Sequence, residues 1–203
     1  MASVAIRGLE GLWYSVRLRS SVLAVIGAVM VVATVARVWN GLQVARSSPE
    51  ERAIQRVILG ARSADIGLAV IPRAYQSSRL PEGVADHMKR RVDTECKKYY
   101  VDRVLSDCLV LHKLQIREDV DGRFLVLEGK VSSIKYGNID VAGSKATGSA
   151  VITEAVTTAQ QLRGRRHVLQ SRNTVEFAYR LVKRADAWKI TAVDGGYVPG
   201  KGP

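Results

Sequence analysis

The chain has 203 residues, 47% of them hydrophobic, and its 31 lysines and arginines exceed its 19 acidic residues by twelve charges. Removing one apolar segment near the start leaves roughly 155 residues, enough for one domain with a hydrophobic core and too few for two. Two cysteines exclude a disulfide-rich scaffold, and no metal-ligand spacing links them to the three histidines. We expect no metal and no cofactor.

The basic charge belongs mainly to the part of the chain that follows the apolar segment. The first 40 residues hold four arginines and one glutamate, so the remaining 163 residues carry a net charge of +9. Such a surface favours anionic partners, whether acidic proteins, phospholipid head groups or nucleic acid.

A long apolar run follows an N-terminal tail of residues 1–19. It is uncharged over the 17 residues from Ser20 to Ala36 and continues past Arg37 to residue 39. A bilayer core of roughly 30 Å needs about 20 apolar residues in a helix, so the sequence predicts a single transmembrane helix at 20–39. Its anchor positions are Ser20, Leu23, Ile26, Val29, Val32, Val35 and Trp39.

The membrane, the orientation and the processing of this segment stay open. A cleaved signal peptide competes with the anchor, because Thr34 and Ala36 weakly imitate a small-x-small cleavage pattern, and an arginine-rich start is also typical of organelle transit sequences. Arginines flank the apolar run on both sides, so the positive-inside rule does not determine its orientation in the membrane. We expect a bacterial inner membrane or an organelle membrane, and favour a cytoplasmic or stromal N-terminus because single-span anchors usually translocate the larger domain.

After a linker at residues 40–48, the sequence predicts two helices. Ser48, Pro49 and Glu51 form a capping box that opens the first helix, and apolar residues at helical spacing extend it towards Pro72. A second helix is predicted from Val84 to Leu105. Its basic flank is either a solvated face or a docking patch for an acidic partner.

From Cys108 onward the apolar period changes to two, which predicts strands. The expected strands begin at Leu109 and continue through 124–131, 134–141, 150–157, 170–183 and 188–193, with a basic hairpin tip at 162–166. Alternation makes His112 an exposed strand residue. Two buried thiols are the favoured interpretation of Cys96 and Cys108, and a single bridge in an oxidising compartment is the alternative.

Helices followed by a meander of long antiparallel strands predict an α+β class, with helices covering one face of a curved sheet. The closing segment FAYRLVKRADAWKITAV, an alternating strand, a turn and then Trp188-Lys189-Ile190, resembles the final hairpin of the nuclear transport factor 2-like superfamily. The resemblance covers a domain at 49–198, before a tail at 199–203. It implies a cone-like domain behind the membrane helix.

Within that superfamily, two membrane-anchored groups have a similar layout. One is the intermembrane-space domain of plastid and cyanobacterial division proteins, which segments 151–155, 173–181 and 188–191 resemble. The other comprises extracytoplasmic cone subunits of bacterial membrane machines, such as type IV secretion scaffolds and proteins associated with mammalian-cell-entry transporters. The chain lacks the long stromal region and J-like domain of the division proteins.

Enzymes of the superfamily use a pocket inside the cone, with an Asp base and a Tyr or Asp hydrogen-bond donor. By that resemblance the candidate pocket residues are Asp65, Tyr75, Tyr99, Phe177, Tyr179 and Trp188, and further candidates for chemistry are Tyr100, Asp102 and His112. Their spacing in the sequence does not place any two of them at a common site. We therefore expect the carboxylates to lie on the surface, the tyrosines to pack in the core, and the protein not to be an enzyme.

The sequence therefore predicts a non-enzymatic single-pass membrane protein whose cone domain docks onto protein subunits of a membrane assembly. The candidate partner-binding residues are Lys89, Arg90, Arg91, Arg163, Arg165 and Arg166. The N-terminal helix would contact the lipid bilayer. Nucleic acid is disfavoured because only Tyr99 and Tyr100 stand beside basic residues to stack on bases. The alternative is a tethered binding protein or isomerase-like enzyme that holds an apolar small molecule in the cone, which a plugged interior would exclude.

Overall fold

The computed structural model describes residues 47–77, 79–122, 124–162 and 165–202. The segment predicted to span the membrane, residues 20–39, lies outside these ranges. Among the helices of the described ranges, none combines the length and the apolar character needed to cross a membrane. The folded unit comprises Pro49–Pro203.

Three helices precede four long strands, and this order confirms the predicted α+β class. The elements are α1 (Pro49–Leu68), a short 3-10 turn (Arg73–Tyr75), α2 (Glu82–Tyr99), α3 (Asp102–Asp121), β1 (Phe124–Ala142), β2 (Lys145–Leu162), β3 (Arg165–Arg184) and β4 (Ala187–Tyr197). The strands form one antiparallel sheet in the order β1-β2-β3-β4. The helices pack against this sheet and enclose a core that includes Ile54, Ile116, Ile152 and Ile190, each fully buried.

The sheet is curved by irregular pairing and closed by tight turns. The register between β1 and β2 shifts at three places along β1, and such bulges bend a strand and increase its twist. Ala185 and Asp186 connect β3 to β4 with φ angles of 45° and 62°. Two consecutive positive φ angles are the signature of the tight hairpin turn whose twist matches the flanking strands. The turn predicted at 184–187 is therefore present.

The prediction of one helix from Val84 to Leu105 is wrong, because α2 ends at Tyr99 and α3 begins at Asp102. The break contains no proline or glycine. Instead, the backbone between the helices pairs with β4: Tyr100 forms a bridge to Ile190, and the Val101 amide donates to the Ile190 carbonyl at 3.1 Å. Hydrogen bonds to a strand about 90 residues away in sequence interrupt the helix, and local periodicity carries no signal of them.

The strand predicted from Leu109 is also wrong, since α3 continues to Asp121. The side chains that face the core recur at helical spacing, at Cys108, His112 and Ile116, whereas Leu111 and Leu114 lie on the exposed side of the helix. Apolar residues on both sides of α3 imitated the alternation of a strand. His112 is accordingly a half-buried helix residue, and its prediction as an exposed strand residue is wrong.

Cys96 and Cys108 form a disulfide that links the end of α2 to the first turns of α3, with a Cα–Cα distance of 6.0 Å. The favoured interpretation as two buried thiols is therefore wrong. Because the helix breaks between the two cysteines, α3 turns back beside α2 and brings the thiol groups together. A single continuous helix would have kept them about 18 Å apart.

Two glycines allow α1 to approach its neighbours closely. A Cβ on Gly129 of β1 would stand 2.4 Å from a methyl carbon of Ile66, and a Cβ on Gly60 would stand 2.7 Å from the Tyr99 ring of α2. Both distances are below van der Waals contact, so the missing side chains set how deeply α1 lies between the sheet and α2.

Asp119 is fully buried near the end of α3, and only one of its carboxylate oxygens has a partner among the described residues. Gln115 donates to Oδ1 at 2.9 Å, whereas Oδ2 is buried without a hydrogen bond to any described residue. Burial raises the pKa of Asp119 to about 6; the hydrogen bond from Gln115 opposes this shift and the charge of Glu118 adds to it. The negative end of the helix dipole further disfavours a charge there.

We predict that Asp119→Asn stabilises the protein at neutral pH. Because the pKa of Asp119 is higher in the folded protein than in the unfolded chain, protonation of Asp119 favours folding. This stabilisation by the proton is complete below the unfolded pKa of 3.8 and is lost as the pH rises through about 6. The variant should gain on the order of 2 kcal/mol in unfolding free energy at pH 7.5 and little at pH 4. Urea titrations of the full chain measure this, with Asp121→Asn, at an exposed position, as control. A gain that is independent of pH would contradict the assignment.

Candidate functional site

An open cavity of about 470 Å³ lies between the helices and the inner face of the sheet. Its apolar wall includes Val104, Leu111, Val126, Val156, Phe177 and Val193. Polar side chains enter it from several elements: Arg62, Asp65, Tyr100, Asp107, His112, Glu154 and Tyr179. The interior is therefore neither plugged nor purely apolar.

The strongest contact in the cavity joins α1 to β2. Arg62 donates from Nε and Nη2 to the two carboxylate oxygens of Glu154, the second hydrogen bond measuring 2.8 Å. The side chain of Glu154 is only 9% exposed and that of Arg62 27%. The guanidinium carbon of Arg62 also lies 4.9 Å from the centre of the Phe177 ring, a cation–π contact. Two fixed hydrogen bonds and an aromatic face thus hold this arginine in one orientation.

Burial works against the charged form of Arg62, but its hydrogen bond to Glu154 and the nearby carboxylates outweigh that effect. The pKa of Arg62 is consequently raised above its usual value. Arg62 therefore stays charged, and it bridges α1 to β2 inside the cavity.

Asp65 lies one helical turn after Arg62 and collects a second group of polar side chains. The Tyr100 hydroxyl donates to its Oδ2 at 2.6 Å, and His112 Nε2 lies 3.6 Å from its Oδ1. Arg62 Nη1 stands 3.6 Å from Oδ2. The expectation that Asp65 is a surface charge is wrong: its side chain is 21% exposed and faces the cavity.

Both cavity tyrosines stay protonated over the physiological range. Burial, with the charge of Asp65 in second place, raises the pKa of Tyr100 far above normal, and burial likewise raises the pKa of Tyr179. Tyr100 uses its proton on Asp65. Among the described residues, Tyr179 has no hydrogen-bond partner for its hydroxyl, so this group is available to a bound molecule.

The residues beside Asp65 do not make a metal site. Donor atoms of Asp65, Cys108 and His112 all lie within 4.8 Å of one another. However, the Cys108 sulfur is committed to the disulfide, so it is neither a thiolate ligand nor a hydrogen-bond donor to the Asp65 oxygen 3.9 Å away. Two ligands remain, fewer than a structural or catalytic zinc site uses.

The structure brings together three of the six candidate pocket residues. Asp65, Phe177 and Tyr179 line the cavity, whereas Tyr75, Tyr99 and Trp188 do not. Tyr75 belongs to the 3-10 turn, and Tyr99 packs against Gly60 on α1.

Trp188 instead connects the closing hairpin to the start of α1. Its indole Nε1 donates to Glu50 at 2.6 Å, and Lys183 donates to the same carboxylate at 2.7 Å. Hydrogen bonds from Lys183 and then Trp188 lower the pKa of Glu50. The alternating hairpin therefore has a structural role in holding the first turn of α1.

The candidate partner-binding residues occupy separate places. Lys89 pairs with Asp86 at 3.0 Å on α2, and Arg90 and Arg91 are exposed on the same helix. Arg165 and Arg166 are exposed at the start of β3, and Arg163 lies outside the described residues. Of the described members of this set, Arg91 lies at the edge of a hollow beside the end of α1.

No family model matches the sequence, and no curated protein does. Among solved structures, the intermembrane-space region of the chloroplast protein ARC6 is 13% identical, covers 53% of this chain and 80% of its own, and gives a TM-score of 0.42. CagV, a VirB8 homologue from the type IV secretion system of Helicobacter pylori, is 11% identical over 70% of this chain and 98% of its own (TM-score 0.41).

An IcmL-like type IV secretion system protein from Legionella pneumophila is 9% identical over 75% of this chain and 94% of its own, with a TM-score of 0.42. The observed order, three helices followed by one antiparallel four-stranded sheet, is the order that the resemblance implies.

We predict that removing one partner of the Arg62–Glu154 pair lowers the unfolding free energy strongly, whereas replacing both partners with apolar residues does not. Arg62→Met should lower the unfolding free energy by about 2–4 kcal/mol, because it leaves the Glu154 carboxylate buried without its partner. Arg62→Met combined with Glu154→Leu should recover most of that loss. Chemical denaturation of the four proteins of this double-mutant cycle measures the coupling.

The matched control for this cycle is the exposed pair Arg103–Asp107, whose charged atoms lie 3.8 Å apart on α3. Arg103→Met should change the unfolding free energy by less than about 0.5 kcal/mol, since surface pairs contribute little. Equal losses of unfolding free energy in the Arg62→Met and Arg103→Met variants would contradict a larger contribution of the buried pair.

Proposed function

We propose that the chain is a non-enzymatic, membrane-tethered subunit whose α+β domain docks onto another protein subunit of a membrane assembly. The observation that carries the proposal is an exposed apolar strip on α3. Val110, Leu111 and Leu114 are 57%, 65% and 45% exposed, and we call them the α3 ridge.

The α3 ridge is continuous because Leu114 lies one helical turn after both Val110 and Leu111. Residues three and four positions apart are neighbours on a helix surface, so Leu114 adjoins both Val110 and Leu111. Large side chains exposed singly are ordinary, but a contiguous apolar strip is typical of a protein interface. Leu111 also lines the mouth of the cavity, which places the ridge beside the hollow interior.

Charge next to the ridge indicates the chemistry of the partner. Arg117 follows Leu114 by three positions, is exposed, and has no ion pair within the described residues. Lys113, by contrast, is paired with Asp93 at 2.6 Å. The partner segment that fits is therefore an apolar stretch followed by a carboxylate that meets Arg117.

Two further features support the proposed membrane tether and the proposed compartment. The apolar run at 20–39 has the length of a membrane helix, and the Cys96–Cys108 disulfide is typical of an oxidising compartment. Both support a domain on the extracytoplasmic side of a bacterial inner membrane, or the equivalent side of an organelle membrane, behind a cytoplasmic or stromal N-terminus.

The docking surface is tested by photo-crosslinking the full chain in its own membranes, with the reactive residue at position 114. We expect the chain in the membrane fraction with its disulfide intact, and a crosslink to a peptide that contains apolar residues and an acid. Leu111→Gln combined with Leu114→Gln should reduce co-purification of that partner at least tenfold.

The control is Val168→Gln combined with Leu169→Gln, on residues that are 54% and 55% exposed at the start of β3. This pair has comparable exposure but lies outside the ridge, so it should leave co-purification unchanged. If both double variants lose the partner equally, or neither does, the α3 ridge is not the interface.

The cavity favours a second candidate, a binding protein for a small apolar molecule. The hollow is open, its walls are mainly apolar, and the Tyr179 hydroxyl and Asp65 offer a donor and an acceptor inside it. Three carboxylates, those of Asp65, Asp107 and Glu154, face one arginine there, so the ligand that fits is neutral or cationic.

This candidate is tested with Nile red, a neutral apolar dye, added to the full chain kept soluble by amphipol. One dye per chain should bind if the cavity is a ligand site, and Val104→Trp, which fills the cavity, should weaken that binding at least tenfold. Val110→Trp, on the outer side of α3, should have no such effect. Fluorescence titrations that give no saturable binding, or equal losses in both variants, would remove this candidate.

A further inference from the structure

The hairpin of β2 and β3 extends past the end of β4 and leaves part of the sheet edge open. β3 pairs with β2 from Arg165 onward, whereas its pairing with β4 begins only at Val175. We call residues 165–173 the β3 edge. Among the described residues, no segment pairs with the β3 edge on the side away from β2. Nine residues of extended strand give this edge a length of about 30 Å.

The backbone groups of every second residue point out of the β3 edge. The next residue, Thr174, shows the direction, because its amide donates to the Lys201 carbonyl at 2.9 Å and its carbonyl accepts from the Val198 amide at 3.0 Å. Both partners lie on the side of β4. Backbone groups alternate along a strand, and the pairing with β2 has no register shift, so alternate residues share this direction. The residues whose amides and carbonyls point outward are Arg166, Val168, Gln170 and Arg172.

The β3 edge lacks the usual structural barriers to a further strand. Proteins commonly protect a sheet edge with a proline, a bulge or a covering loop. The β3 edge contains no proline and pairs with β2 without a bulge. Val168 and Leu169 are 54% and 55% exposed, and as consecutive strand residues they lie on opposite faces of the sheet. A long, regular edge with exposed apolar side chains is a template for another strand.

The charge of the β3 edge selects the strand that fits. The edge carries Arg165, Arg166 and Arg172 and no acid, and the residues of β2 that pair with it over 155–162 include no acid either. Opposite charges that face each other across two strands are stabilising, and like charges are destabilising. Two copies of this chain would bring six arginines and no acid to a shared edge. An acidic strand from a different protein therefore fits better than a second copy.

The backbone of the β3 edge also distinguishes a strand from a lipid surface. Basic and apolar side chains together suit an anionic bilayer as well as an acidic peptide. Lipid head groups, however, do not offer donors and acceptors at the regular spacing of the outward-pointing amides and carbonyls. An added strand offers both at that spacing.

We propose that the β3 edge binds an extended acidic segment of a partner protein, which joins the sheet as a fifth strand. Its backbone pairs with the outward-pointing amides and carbonyls. Its acidic side chains lie beside Arg166 and Arg172, which share one face of the sheet, and its apolar side chains lie beside Val168 and Leu169. This surface is separate from the α3 ridge and does not depend on the proposed function.

The full chain, purified in a neutral detergent at constant salt, tests the proposal with a fluorescein-labelled peptide of sequence Glu-Thr-Thr-Ile-Val-Thr-Glu-Glu. Saturable binding is expected by fluorescence polarisation. At saturating peptide, hydrogen exchange of the amides in residues 165–172, measured by mass spectrometry, should slow at least fivefold. Exchange of the α3 amides should not change.

A proline at an outward-pointing position tests the role of the backbone. Gln170→Pro removes one outward-pointing amide and should weaken peptide binding at least tenfold. Proline is tolerated on an edge strand where the amide faces solvent, and an unchanged midpoint of thermal unfolding checks that the variant folds. The matched control, Gln170→Ala, removes the same side chain and keeps the amide, so it should change the affinity less than twofold.

A charge variant tests the partner chemistry independently and keeps the proposal testable if the proline variant does not fold. Arg166→Glu combined with Arg172→Glu should weaken peptide binding at least tenfold. The control, Arg90→Glu combined with Lys135→Glu, makes the same change in net charge at exposed positions outside the β3 edge and should change the affinity less than threefold. Equal losses in the two variants would overturn the proposal, because they would indicate a general attraction of the acidic peptide to a basic protein.

Other occupants of the β3 edge give different exchange results, and each would overturn the proposal. Slow exchange of residues 165–172 in the free chain that is lost on dilution would assign the edge to a second copy, and slow exchange at every concentration would mean that the chain itself covers it. Slowing in nanodiscs with one-fifth phosphatidylserine, but not in phosphatidylcholine alone or with the peptide, would assign it to lipid. A peptide that shows no saturable binding, or equal losses in the two variants at position 170, would also overturn it.

The independence of the two surfaces is checked with the ridge variant, Leu111→Gln combined with Leu114→Gln. It should bind the peptide with the affinity of the wild type. Loss of peptide binding in that variant would contradict a separate site on the β3 edge.

Discussion

The Arg62–Glu154 ion pair is the contact on which the arrangement of helices and sheet depends. It joins the middle of α1 to the middle of β2. Neither charged side chain is exposed to enough water to be stable without its partner. Burying a charge without a partner costs far more than burying an apolar side chain, so each residue fixes the position of the other. The pair also explains why the interior remains hollow: apolar side chains that closed over it would remove its remaining solvation.

The other polar groups of the cavity follow from the position of that pair. Asp65 lies one turn along α1 and is therefore carried to the same hollow, where Tyr100 reaches it from the break between α2 and α3. That break is in turn fixed by backbone hydrogen bonds to Ile190 of β4. The site thus joins the first helix, the helix break and the last strand, three parts of the chain that are distant in sequence.

The sequence predicts the elements whose signals are local and misses those set by distant contacts. The start of α1 at Pro49, the turn at 184–187 and the alternating closing strands were all readable from neighbouring residues. The break after Tyr99 and the disulfide were not, because both arise from the packing of α3 beside α2 and β4. The convergence of Asp65, Tyr100 and His112 requires a helix after Cys108, whereas the alternating apolar pattern there predicts a strand. Arg62 and Asp65, spaced three apart on one helix face, were the available sign of a polar cluster.

The main charges of the cavity are held by partners within the domain, and this bears on their role. Arg62 is held by Glu154, and Asp65 accepts a hydrogen bond from Tyr100. Charges that are paired in this way stabilise a fold, because each partner removes the cost of burying the other alone. The ion pair of the cavity therefore supports the architecture. The Tyr179 hydroxyl has no hydrogen-bond partner among the described residues, so it is a polar group of the cavity that is left for a bound molecule.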